Sequence, residues 1–151
     1  MERWDRGLTN QGAGREYQIL SIGLLVITLV WMAAIMVIMA WPDLKAPSIG
    51  VPARHAPIAL LTHLFLFGVL GLLVYSAFFI GWGKGHNTSG FPIAMMVGLV
   101  WGGITELSQL YVPGRFASLE DVAWNVAGST AGGFLAMVLL RRLGKGSALA
   151  T

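Results

Sequence analysis

Residues 19–40 read ILSIGLLVITLVWMAAIMVIMA, an unbroken run without one charged side chain. As an α-helix the run rises about 33 Å, and the hydrocarbon core of a bilayer is about 30 Å thick. Trp41 and Pro42 end it. A signal peptide would have an apolar region of about 7–15 residues followed by a small-residue cleavage site. This run is longer and has no clear site, so an uncleaved membrane anchor is expected. The preceding residues 1–18 are polar and mixed in charge, ending in Arg15, Glu16, Tyr17 and Gln18.

Three more apolar segments follow. One runs from about 57 to 82; it opens on Pro57, which suits a first helical turn, and His63 is its only strongly polar side chain. Another, from about 91 to 112, carries Glu106 and Gln109 near its end and is broken by Pro113-Gly114. The last, about 119 to 140, starts behind Ser118 with Asp121 three positions on, a capping signature, and is followed by Arg141 and Arg142. The prolines at 42, 47 and 52 make 41–56 a loop, and 83–90 is a short Gly/Asn/Ser connection. There is no internal repeat. The expected fold is an all-α membrane protein, one domain over residues 1–151, with four transmembrane helices in an antiparallel bundle.

Composition agrees. The chain is 56% hydrophobic and 11% charged, where soluble domains carry about 25% charge. Its mean hydropathy is +0.70. The 20 glycines suit membrane helices, whose backbones approach closely at small residues. The absence of cysteine excludes disulfides and thiolate metal sites. The net charge of +3 comes with no basic run or aromatic-interleaved patch, so no nucleic-acid partner is expected. The charge is topological information instead. Arg3, Arg6, Arg15, Lys84, Arg141, Arg142 and Lys145 fall on the side of the termini, against Lys45, Arg54 and Arg115 on the other. The positive-inside rule then puts both termini in the cytoplasm. Trp41, Trp82 and Trp124 fall near the expected interfaces.

With that topology the polar residues converge near the outer surface. His63 lies one to two turns into the second segment. Glu106 and Gln109, three apart on one helix face, lie at similar depth, and Gly98 and Gly102 continue that face inward. Asp121, Asn125, Gly128 and Gly132 share a face of the fourth segment, and Arg115 sits in the loop between. Charged groups at membrane depth cost about 2.5–3.5 kcal/mol each on insertion scales and normally face a bundle interior or wet cavity. The six polar residues are therefore a candidate ligand-binding pocket, and the four glycines a candidate packing surface.

Plainer readings stand beside this one. Asp121 also reads as a helix cap, Arg115 as a lipid-phosphate anchor, Asn125 and Gln109 as interhelical hydrogen bonds, and His63 as an interior histidine. Glu106 is hardest to account for in that way, because a carboxylate here needs a partner or a proton. A metal site from His63, Glu106 and Asp121 is conceivable. Nothing in the spacing demands it and only one histidine lies at the right depth, so no metal or cofactor is expected. His55 and His86 fall in loops and are assigned no role.

The stretch TELSQLYVPGRFASLEDVAWNVAGSTAGG resembles the VanZ-like family of small bacterial membrane proteins. That family's pattern places a Glu and a Gln on Glu106 and Gln109, and a PGR-type turn on Pro113-Gly114-Arg115. Its Asp and Asn fall on Asp121 and Asn125, followed by a small residue on Gly128. HLFLFGVLG resembles the family's histidine-bearing second helix, with the His on His63. The resemblance covers roughly residues 58–135. One departure stands out: the family often has Lys, frequently after Asp, three residues before the His, and here those positions are Ala59 and Leu60. An activity needing that lysine is then in doubt, and Arg115 is left as the main positive group. The family is named for a member linked to resistance to the glycopeptide teicoplanin.

The resemblance implies the bacterial cytoplasmic membrane and an outward-facing polar site, without supplying a reaction. Two functions follow as expectations. One is binding or modifying an envelope lipid or lipid-linked glycan precursor, with membrane lipids as partners. The other is an accessory structural subunit of a larger respiratory or photosynthetic membrane complex, associating with other membrane subunits. A transporter is not expected from four spans without repeats, and no complete catalytic set is visible.

Overall fold

The structure, a computed structural model, describes residues 2–41, 57–82, 90–113 and 116–148. These form four α-helices and no strand: α1 (Glu2–Ala40), α2 (Pro57–Trp82), α3 (Gly90–Gln109) and α4 (Leu119–Ala148). Each contains a stretch long and apolar enough to cross a membrane: Arg15–Ala40, Ala59–Gly81, Gly90–Gln109 and Leu119–Leu143.

The helices outrun or fall short of the apolar segments in three places. α1 begins at Glu2 rather than near residue 19, and α4 continues to Ala148 rather than ending near 140. Helical hydrogen bonds form within the segment and do not stop where apolarity does, so polar flanks extend both helices. α3 ends at Gln109, short of the expected 112. Leu110, Tyr111 and Val112 instead donate to the carbonyls three residues back, at 3.2, 3.2 and 3.0 Å. Such tighter turns are common at helix ends, and the following Pro113 disfavours an α conformation at Val112.

α2 lies at the centre of the arrangement, in contact with the other three helices, and α4 packs against both α2 and α3 through small residues. At the α2–α4 seam a Cβ on Gly132 would collide with the backbone of Gly68, and one on Gly128 would lie 2.7 Å from the Leu64 carbonyl oxygen. At the α3–α4 seam a Cβ on Gly98 would lie 2.5 Å from Ser129 Cβ, and one on Gly102 2.9 Å from Asn125 Cβ. Backbone proximity of this kind maximises dispersion between helices that lipid would otherwise solvate equally well.

α1 packs mainly on α2. Ile35 and Met39 meet Leu66, Phe67 and Leu70 in a buried apolar cluster, and Trp31 Nε1 donates to the Leu66 carbonyl at 2.9 Å. Much of α1's remaining surface is exposed and apolar, including Leu25, Val26, Leu29, Val30 and Val37. A surface of this extent is at home in hydrocarbon and not in water.

Candidate functional site

The site is assembled from helix ends. His63 lies in the second turn of α2, Glu106 in the last turn of α3, and Asp121 in the first turn of α4. One ligand atom from each, an imidazole nitrogen and two carboxylate oxygens, lie within 4.8 Å of one another. His63 and Glu106 are buried, while Asp121 is partly exposed.

Asn125, one turn beyond Asp121, is fully buried. Its Oδ1 lies 2.8 Å from His63 Nδ1, joining α2 to α4. Glu106 has both carboxylate oxygens engaged. Gln109 Nε2 donates to Oε1 at 3.2 Å, a contact within one helix face. The backbone N–H of Ser118 donates to Oε2 at 3.0 Å, linking the end of α3 to the start of α4.

This last bond alters the capping pattern read from the sequence. Ser118 is the cap of α4: its carbonyl accepts from Val122 N at 3.2 Å and its Oγ from Asp121 N at 3.4 Å. In a reciprocal capping box the acid at the third position would return a bond to the cap's own N–H. Here Glu106 accepts from that N–H instead, and the Asp121 carboxylate reaches toward His63 and Glu106.

The structure thus brings together His63, Glu106, Gln109, Asp121 and Asn125. Arg115 lies outside the described residues. Gly98 and Gly102 lie against α4, and Gly128 and Gly132 against α2. Two polar side chains went unread in the sequence. Ser129, fully buried, donates to the Ala94 carbonyl at 2.6 Å, and Thr105, also fully buried, donates to the Gly102 carbonyl at 2.8 Å. Ser129 stands four residues after Asn125 on the same face, a spacing that could have revealed it.

A cavity of about 390 Å³ lies elsewhere, between α1 and α3, lined by Met32, Pro92, Met96, Val100 and Trp101 among others. Its apolar walls suit hydrocarbon and not a charged ligand. The polar cluster is therefore a packed group of side chains at helix ends and not the lining of that cavity.

The family model described as VanZ/LLP1 matches residues 4–141. The match runs well beyond the 58–135 stretch that carries the motif. No curated protein and no solved structure matches the chain significantly.

Proposed function

The chain belongs to the VanZ/LLP1 family, and from that membership together with the polar cluster we propose that it binds an envelope lipid headgroup or lipid-linked precursor at the outer face of a bacterial cytoplasmic membrane. The supporting observation is the convergence of His63, Glu106 and Asp121 from three helices, at a depth where ionisable groups are retained for function.

The proposed topology is four spans alternating in direction, with both termini in the cytoplasm. Residue pairings support the alternation. Gly98 meets Ser129 and Gly102 meets Asn125, numbers that run in opposite senses along α3 and α4. Trp31 pairs with Leu66 and Ser21 with Ala77, also in opposite senses. α2 and α4 run in the same sense, His63 with Asn125 and Gly68 with Gly132. The distribution of lysine and arginine supports the sidedness.

In this reading the α2 and α4 N-termini, with their partial positive charge, face a headgroup phosphate. Arg115, in the loop that joins α3 to α4, supplies a full positive charge. His63 and Glu106 exchange protons with headgroup hydroxyls. The second reading, an accessory subunit of a larger complex, is favoured by the broad apolar surface that α1 leaves exposed.

Mass determination of the natively expressed protein in mild detergent tests both readings. A lone chain or homo-oligomer carrying an anionic phospholipid or lipid-linked glycan, with at least about tenfold weaker retention in Arg115→Ala (about 1.4 kcal/mol), is the expected result. Unchanged retention by that variant would remove the headgroup reading. A discrete larger assembly would establish the subunit reading in its place.

A further inference from the structure

The cavity between α1 and α3 is a groove with almost wholly apolar walls: Met32 on α1, and Pro92, Met96, Val97, Val100 and Trp101 on α3. From Pro92 to Trp101 it follows about 13–14 Å of helix. Its volume of about 390 Å³ over that length leaves a mean cross-section of about 29 Å². A helix with its side chains is about 10–12 Å across, or about 80–110 Å² in section. The groove is therefore too narrow for a partner's helix or for one from a second copy. A methylene chain, at carbon–carbon contacts of about 4 Å, needs less than about 20 Å². One hydrocarbon chain fits, with room left for side methyls.

The groove continues toward the polar cluster. Ile93, Met96, Val100, Ile104 and Leu107 follow one another at steps of three and four, so they share one face of α3, and all five are exposed. This apolar track ends at Leu107, next to Glu106, whose carboxylate meets His63 and Asp121. From Leu107 to Ile93 it runs about 21 Å. One leaflet offers about 15 Å of hydrocarbon, half of a core of about 30 Å. A chain that starts at the polar cluster and fills the groove thus passes the bilayer midplane.

We propose that the α1–α3 groove holds the polyprenyl chain of a lipid-linked precursor whose headgroup phosphate meets the polar cluster. The inference rests on the headgroup reading and narrows it from envelope lipids in general to those built on a polyprenyl phosphate. Depth and width both point to that chain. A polyprenyl chain is long enough to pass the midplane, and its methyl branches use the width that a linear acyl chain leaves empty. Filling matters because walls without partner atoms forfeit their dispersion contacts. Met32 and Met96, unbranched and polarizable, adapt to such an irregular outline.

The test uses the full chain in nanodiscs of neutral phosphatidylcholine and three ligands that share a phosphate monoester: a long-chain polyprenyl phosphate, geranyl phosphate and dioleoyl phosphatidic acid. Wild type should bind the long polyprenyl phosphate at least about tenfold more tightly than either of the others. Met96→Trp and Val100→Trp put bulk into the groove at exposed positions and should each remove that preference, with folding checked by circular dichroism. Val30→Trp adds the same bulk to an exposed position on another face of α1 from Met32 and should leave the preference intact. Equal binding of all three phosphates, each weakened by Arg115→Ala, would overturn the groove inference and leave the headgroup reading standing. An unchanged preference in both folded groove variants would overturn it as well. Binding of none of the phosphates, or binding indifferent to Arg115→Ala, would remove the headgroup reading and this inference with it.

Discussion

Glu106 is the residue on which the site turns. Its carboxylate accepts from Gln109 on its own helix and from the Ser118 backbone across the α3–α4 connection. Removing the side chain in Glu106→Ala leaves at least these two donors to find other partners. A buried donor left unmade costs about 1–3 kcal/mol, so this variant should unfold at distinctly lower temperature in detergent. Glu106→Gln retains an amide oxygen as an acceptor and should lose less. Equal losses would mean that charge, and not hydrogen bonding, holds the group in place. The sequence made Glu106 conspicuous because a lone carboxylate near an apolar helix end demands a reason. It did not reveal that Ser118 N–H would be that reason, since the bond joins residues twelve apart through a turn of unspecified geometry.

Among the elements, α4 is the one whose sequence is most constrained. It meets α2 across Gly128 and Gly132 and meets α3 with Asn125 and Ser129, so two seams leave little room for larger residues. Gly132→Ala places a methyl group against the Gly68 backbone and should destabilise the bundle by about 1–3 kcal/mol, the usual cost of overpacking. Gly103→Ala on α3 meets nothing within 4 Å and should change stability by less than about 0.5 kcal/mol. Thermal unfolding of the pair in one detergent checks the contrast. Four-residue glycine spacing was legible as a packing face. Which helix each face would meet was not, because spacing specifies a face but no partner.

At the scale of the whole molecule, the testable property is sidedness. The chain has no cysteine, so single cysteines can be introduced without background. Ser48→Cys and Ala117→Cys should react with a membrane-impermeant maleimide in intact cells, and Ser89→Cys only after lysis. The reverse pattern would invert the bundle and turn the polar cluster to the cytoplasm. Four apolar segments, their approximate limits and the membrane as solvent were determined by the sequence alone, because spanning hydrocarbon requires long uncharged helices and nothing subtler. The polar residues of the candidate site could be picked out the same way, since each ionisable group in such a segment is costly and therefore conspicuous. Their assembly was decided only by the tertiary structure. The donors of His63, Glu106 and Asp121 come within 4.8 Å because glycine seams draw α2, α3 and α4 together, a contact between distant segments that no local pattern encodes.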